Sequence, residues 1–224
     1  RTWSKRSDLA ISGISDTIKL PIQSTMATDL LKLGGFTLIE RALAVLSSLS
    51  KDLIVVGENG KKFTGLSVKV VRDILPGRGV LGGVYTGLKA AGQHRSVVVG
   101  CDMPFLNLEL LHYMTEQAEG YDVVIPRVGN YLEALHAVYS RDCLAPIQRK
   151  LREGNLRLVS FFSEVRVHYI EAEEIARFDP EHLSFFNINE PADLERAERI
   201  LRSRGLGGPN RSGQKMKALD SWYN

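Results

Sequence analysis

From residue 37 onward, short β-branched apolar runs alternate with amphipathic stretches of helical length, and this alternation is the strongest constraint on the fold. Leu53-Ile-Val-Val56, Val68-Lys-Val-Val71 and Val97-Val-Val-Gly100 are too short for helices and read as strands, and Leu53–Val56 and Val97–Gly100 are too uniformly apolar for one wet face. Such strands need cover on both sides, which a mostly parallel sheet between helices supplies. Helices are predicted over Thr37–Leu49, Leu81–Ala91, from Leu108 with Asn107 as cap, over Arg141–Arg152, and over Pro191–Arg202 with Asn189 as cap. Further strands are predicted at Asp122–Pro126, at Tyr131–Tyr139, at Val165–Ile170 with an antiparallel orientation open for it, and at Ser184–Ile188. The whole reads as a single three-layer α/β/α domain with a Rossmann-like, mostly parallel sheet.

The two ends differ from this body. Ser7–Ile14 is a candidate first strand, whereas Ser15–Thr25 has neither a helical nor a strand period. Residues 1–25 are therefore set apart as a divergent N-terminal segment, 26–204 as the α/β domain, and 205–224, rich in glycine and basic residues, as a flexible tail. The formal charge is +3 over 224 residues, but residues 1–7 carry +3 and residues 202–224 carry +4, which leaves −4 on residues 8–201. An acidic body is a poor footprint for nucleic acid, which needs clustered positive charge on a structured face. No apolar run approaches a membrane span and no signal-like segment opens the chain, so a cytoplasmic location is expected. Cys101 and Cys143 show no CxxC spacing and sit in apolar surroundings, as buried reduced thiols do.

Val97-Val-Val-Gly-Cys-Asp-Met-Pro-Phe105 places Asp102 just past the carboxyl end of a strand, the crevice where open α/β sheets bind ligands. A carboxylate there can hold a divalent metal against nucleotide phosphates, or can satisfy turn amides before Pro104. Gly77, Gly79 and Gly82 match GxGxxG, and Asp102 follows Gly82 by twenty residues, as in a dinucleotide fingerprint. That fingerprint closes directly off its strand, however, and here Asp73-Ile-Leu-Pro76 intervenes. A different arrangement accounts for more residues: Asp73 ends one strand, Gly79–Gly83 opens a helix whose amides face a ligand, and Asp102 ends the next strand. Gly82 and Gly83 could equally serve close helix–sheet packing. His136 lies inside an apolar strand, where a histidine is more often a core residue than a catalyst, and His94, His112, His168 and His182 show no metal-ligand spacing.

Several ordered motifs together resemble those of the molybdenum cofactor guanylyltransferases, the MobA-like branch of the nucleotidyltransferases. Gly79-Val-Leu-Gly-Gly83 is similar to that family's Gly-Pro-Leu-x-Gly loop, with valine for proline. Cys101-Asp-Met-Pro resembles its strand-end segment, Leu135-His-Ala-Val-Tyr139 its Leu-His-Ala-Val-Tyr strand, and Phe186-Asn-Ile-Asn-Glu-Pro-Ala-Asp193 its Asn-x-Asn-x-Pro-x-Asp segment. Met26–Arg41 follows the end of the family's first loop and the next helix, so the likeness runs from about residue 26 to 204. The resemblance implies the nucleotide-diphospho-sugar transferase type of fold and a Mg²⁺-dependent transfer of GMP from GTP to molybdopterin, releasing pyrophosphate. It implies Asp102 as catalytic magnesium ligand, and Asp73, Gly79, Leu81, Gly82, Gly83 and Asp102 as GTP contacts. Asn187, Asn189 and His136 are implied on the molybdopterin side, with helix capping as the alternative for Asn189. Molybdoenzymes or other cofactor-biosynthesis proteins are the implied partners, with no nucleic acid and no membrane.

One part of the family pattern is missing. The expected Leu-Ala-Gly-Gly-x-Ser-x-Arg-Met-Gly-x-Asp-Lys loop would cradle the triphosphate, but no glycine pair precedes Met26, Thr25 stands in place of arginine, and Leu30 follows Asp29. Either this copy has lost turnover, or residues 14–25 do not represent the natural chain faithfully. The competing functions are a binding homologue without turnover and a related cytidylyl or sugar-phosphate nucleotidyltransferase.

Overall fold

The computed structural model describes residues 17–21, 31–57, 63 and 65–205. Its main sheet contains β1 (Thr17–Pro21), β4 (Leu53–Val56), β5 (Lys69–Val71), β6 (Arg95–Val99), β7 (Val123–Val128), β9 (His136–Ser140) and β10 (Val167–Ile170), in the order β10-β7-β9-β6-β1-β4-β5. A two-residue strand β8 (Tyr131–Leu132) folds back on β7, and β2 (Lys32–Leu33) with β3 (Phe36–Thr37) forms a separate hairpin. Neighbours β5, β4, β1 and β6 run parallel, as do β7 and β10, while β9 runs antiparallel between β6 and β7.

Helices cover both faces, as the uniformly apolar strands require. On one side α1 (Leu38–Leu49) and α3 (Leu108–Glu116) pack Ile39, Val45, Leu110 and Leu111 against Val97, Val99, Val124 and Val138. On the other, α2 (Gly79–Ala90) and α4 (Leu144–Arg152) pack Leu81, Leu88, Ile147 and Leu151 against Val98, Val123, Ile125 and Tyr139. Val98 faces away from Val97 and Val99, the period-2 alternation that lets one strand feed two cores. A short helix α5 (Ala172–Ile175) follows β10, and α6 (Pro191–Ser203) closes a third cluster through Ala197 and Leu201.

Local chemistry sets the boundaries. Thr37 and Glu40 form a reciprocal capping box at α1, with the Thr37 N–H donating to Glu40 at 2.8 Å. Asn107 accepts the Leu110 N–H at 2.8 Å and starts α3 as expected. The cap of α6, by contrast, is Glu190 rather than Asn189. Pro191 occupies the first turn and holds its predecessor extended, which puts Glu190 at the capping position and leaves the Asn189 N–H donating to Asp193.

Other expectations also change. Thr17–Pro21, which shows no period in the sequence, lies between β4 and β6 with Ile18 opposite Leu53 and Val97. Strand β10 is parallel to β7, and β9 takes the antiparallel place instead. The run Tyr131–Tyr139 is broken, because His136 donates its N–H to Glu133 across a turn at 2.8 Å. Ser184–Ile188 forms no strand: the Asp179 carboxylate accepts the N–H groups of Leu183 and Ser184 at 3.0 and 2.7 Å, which winds Leu183–Phe185 into a 3₁₀ turn. Arg141–Cys143 is likewise a 3₁₀ turn leading into α4. Both cysteines are buried and free. The candidate strand Ser7–Ile14, residues 22–25 before Met26, and the tail beyond Gly205 lie outside the described residues.

Candidate active site

Strands β1, β4, β5 and β6 are mutually parallel, so their carboxyl ends share one edge of the sheet. Asp73 follows β5 and Asp102 follows β6 at that edge. His136 opens the antiparallel β9 opposite Val99, so it belongs to the same end. Two groups of residues gather there.

The first centres on Asp102. Gly100 donates its N–H to Leu135 O at 2.9 Å, and the chain then turns through Cys101 to the half-buried Asp102. A Cβ at Gly100 would overlap Oδ1 of Asp102, so only glycine leaves the carboxylate room in this orientation. Burial pushes the Asp102 carboxyl above the ordinary aspartate range, and its own main-chain N–H offsets part of that effect. Among the described residues no basic side chain pairs with it. Glu133, on the turn before β9, is a second carboxyl raised by burial.

Two contacts hold this turn from either side. The Ile188 N–H donates to Asp102 O at 2.9 Å, and the buried Arg41 of α1 donates through Nε to Pro104 O at 3.4 Å. Ile188 brings its neighbours Asn187 and Asn189 to the Asp102 turn; Nδ2 of Asn187 donates to Phe185 O, and Asn189 is exposed. His136 is fully buried beneath this segment, edge-on to Phe185 at 5.1 Å, with burial lowering its pKa to about 4 and the Asp179 charge opposing that. The structure thus places His136 in the floor of this end of the sheet, against Phe185.

The second group centres on Asp73. Its Oδ1 accepts the Thr86 hydroxyl at 2.7 Å and the Leu75 N–H at 2.9 Å. Helix α2 begins at Gly79, which has φ +63°, and its cap residue Arg78 supplies no side-chain hydrogen bond. The predicted opening at Gly79–Gly83 is thus the first turn of a helix, whose main-chain amides provide partial positive charge for an anion. Leu81, Gly82 and Gly83 are buried within it. A Cβ on Gly82 would come within 2.9 Å of Arg78 Cβ and 3.1 Å of Leu75 O, so this glycine serves close packing of the 75–78 loop.

The Asp102 turn fits a magnesium ion by its donor set. Among the described residues no group of three or more His, Cys, Asp or Glu side chains converges, which excludes an all-protein cage from that part of the chain. A single desolvated carboxylate is instead the arrangement that suits a cation keeping its other positions for phosphate and water. Sequence reasoning missed Arg41, Gly100 and Thr86. An arginine within the apolar stripe Ile39, Ala42, Val45 and Leu46 was the available signal for the first.

Residues 29–167 match the model of the MobA-like NTP transferase domain. A probable molybdenum cofactor guanylyltransferase of Pelotomaculum thermopropionicum is 39% identical over 181 residues, covering 80% of this chain and 87% of that protein. A molybdenum cofactor guanylyltransferase of Desulfosudis oleivorans is 32% identical over 172 residues, covering 76% and 85%. Among solved structures, molybdopterin-guanine dinucleotide biosynthesis protein A from Archaeoglobus fulgidus superposes with a TM-score of 0.70 at 28% identity, covering 85% of this chain and 100% of that one. The 2-C-methyl-D-erythritol 4-phosphate cytidylyltransferase of Thermus thermophilus superposes with a TM-score of 0.63 at 19% identity, covering 84% and 100%, and shares the fold.

Proposed function

The chain belongs to the MobA-like NTP transferase family, and from that premise we propose that it transfers GMP from GTP to molybdopterin, releasing pyrophosphate and forming a guanine dinucleotide cofactor. The observation that carries this reading is the Asp102 carboxylate, desolvated at the sheet edge with no basic partner among the described residues and tied through Ile188 to the asparagine segment. The names of the relatives point to these substrates, and the two strand-end carboxylates support the reading.

Asp73 and Asp102 follow strands with β1 and β4 between them, a separation of about 14 Å from three interstrand steps. An extended nucleoside triphosphate spans such a distance. In this assignment Asp73 accepts from a ribose hydroxyl or a guanine N–H, the first turn of α2 lines the nucleoside, and Asp102 holds magnesium at the phosphates. Bound there, magnesium would neutralise phosphate charge and help order the reacting groups. The chain itself contributes alignment: Gly100 leaves room for the carboxylate, while Arg41 and Ile188 fix its turn. In the same assignment Asn187 and Asn189, carried by the segment tied to Asp102, are the donors for the pterin phosphate. Transfer of this kind is accelerated mainly by positioning and charge neutralisation. The cytoplasm is the location that suits this chemistry, and among the described residues no helix is long and apolar enough to cross a membrane.

A binding homologue without turnover is a second reading, favoured by the missing glycine pair and by Thr25 and Leu30 at positions where the family carries arginine and lysine. One assay separates the two. Purified protein is mixed with molybdopterin, Mg²⁺ and each of GTP, CTP and ATP, and pyrophosphate is followed. Release with GTP alone is the expected result. Binding of GTP without release establishes the second reading, and preference for CTP points to a cytidylyltransferase.

A further inference from the structure

We propose that Thr86 is a positioning residue for nucleotide selection, holding Asp73 so that one carboxylate oxygen is consumed by the fold and the other is presented to the nucleoside. This rests on the assignment of Asp73 to the nucleotide. Thr86 is buried in the middle of α2, seven residues after its first residue, Gly79. A threonine inside a helix commonly returns its hydroxyl to a carbonyl of the preceding turn. Here the hydroxyl leaves the helix and donates to Asp73 Oδ1 at 2.7 Å, while Thr86 Oγ1 itself accepts the Ile74 N–H at 3.3 Å.

With the Leu75 N–H also donating to Oδ1 at 2.9 Å, that oxygen holds two donors, whereas Oδ2 takes none among the described residues. The asymmetry matters because an aspartate on a surface loop otherwise samples several rotamers. Two donors on one oxygen select a single orientation, and Thr86 is itself stiff at χ1 because it is β-branched. The loop it restrains has little apolar anchoring of its own: Ile74, Pro76, Gly77 and Arg78 are exposed. Thr86 therefore links the carboxylate to the helix whose first turn faces the same ligand. The Oδ2 atom, held in place, accepts from a guanine N–H edge or a ribose hydroxyl. Adenine lacks the donor pair of the guanine edge, so the effect of Thr86 extends to the choice among nucleotides.

The test is equilibrium binding of GTP, 2′-deoxyGTP and ATP with Mg²⁺ to the full chain, with thermal melting as the check on folding. Thr86→Val deletes the hydroxyl at nearly constant shape and should weaken GTP about tenfold, the size expected when a hydrogen bond to a charged group is lost. Thr86→Ala repeats the deletion without the second methyl, and should do the same if Thr86→Val fails to fold. Thr86→Ser restores the hydroxyl and should recover binding to within about threefold of the wild type. In an Asp73→Ala background, Thr86→Val should cost less than about twofold more, because the two side chains act as one unit. A general loosening of α2 would instead weaken GTP equally with and without Asp73; ATP weakened alongside GTP, with 2′-deoxyGTP spared, assigns Oδ2 to the ribose, and ATP spared assigns it to the guanine edge. Wild-type affinity in both hydroxyl deletions, or additive losses with Asp73→Ala, would overturn the role of Thr86. Failure of the wild type to bind GTP would overturn the guanylyl reading itself, and is seen in a separate arm.

Discussion

The Ile188 main-chain N–H meets the carbonyl oxygen of Asp102 at 2.9 Å, so the segment carrying Asn187 and Asn189 hangs from the turn that presents the carboxylate. Two stretches more than eighty residues apart thereby form one unit at the carboxyl end of β6. The carboxylate is desolvated without a basic partner among the described residues, a configuration that disfavours its charged form when no cation is bound.

Replacing that charge by a neutral amide should separate stability from function. Asp102→Asn is expected to raise the melting temperature of the metal-free protein by about 2 °C, because the cost of burying charge disappears. It should also reduce Mg²⁺-supported pyrophosphate release by at least about 100-fold. Melting curves and initial rates on the same preparation check both. An unchanged rate with Mg²⁺ would remove Asp102 from metal binding.

Gly100 offers a gentler perturbation of the same group. A Cβ there would overlap Asp102 Oδ1, so Gly100→Ala must turn the carboxylate away from its present orientation. The expected outcome is an Mg²⁺ requirement raised about tenfold at half-maximal rate, about 1.4 kcal/mol, with far-ultraviolet circular dichroism unchanged. Titration of the rate with Mg²⁺ measures it. If the half-maximal concentration stays put, the orientation of Asp102 is not what sets metal affinity.

The parts of this architecture written in local sequence were legible, and those decided by tertiary contacts were not. Val97–Val99 announces a doubly covered strand because every side chain in it is apolar, and Thr37 with Glu40 announces a helix start because a capping box is local chemistry. Thr17–Pro21 carries Lys19 and Pro21 in a five-residue strand, which erases the period, yet it pairs on both sides with β4 and β6. Ser184–Ile188 looks like a strand because Phe185, Phe186 and Ile188 are apolar. Its start is wound by Asp179, which takes the Leu183 and Ser184 N–H groups, and its end is held by Asp102 O, partners that no periodicity can reveal. The same holds at the site. Asp73 and Asp102 stand out as strand-end carboxylates, whereas Thr86 and Arg41 acquire meaning only through the residues they reach.

Gly82 tests how tightly the nucleoside side is built. An alanine there would place its Cβ 2.9 Å from Arg78 Cβ and 3.1 Å from the Leu75 carbonyl oxygen, and that oxygen is main chain and cannot rotate aside. The 75–78 loop must shift, at a cost of about 1–3 kcal/mol in unfolding free energy. Because Leu75 also donates to Asp73, the same shift should weaken GTP binding. Denaturant unfolding and GTP titration of Gly82→Ala check both, and an undiminished unfolding free energy would show that the loop yields without cost.

His136 gives a pH signature with a defined sign. Its pKa falls from 6.5 to about 4 on burial, so the fold favours the neutral imidazole and the unfolded chain takes up the proton first. Stability from this residue is fully present above pH 6.5 and is lost as pH falls through 4, by about 3 kcal/mol in all. The Asp122–Arg166 pair acts lower, since Arg166 holds the Asp122 carboxyl below its ordinary value of 3.8 and its contribution fades only under that value. Burial of Asp102 and Glu133 acts in the opposite direction, because the fold favours their protonated forms as pH falls. Comparison with His136→Leu isolates the imidazole from all three, since they titrate in both proteins. The wild type minus variant difference in unfolding free energy should slope upward between pH 4 and 6.5 and be flat above. A difference that stays flat throughout would mean that His136 is protonated alike in folded and unfolded chains, and therefore that the floor beneath the Phe185–Ile188 segment is open to water.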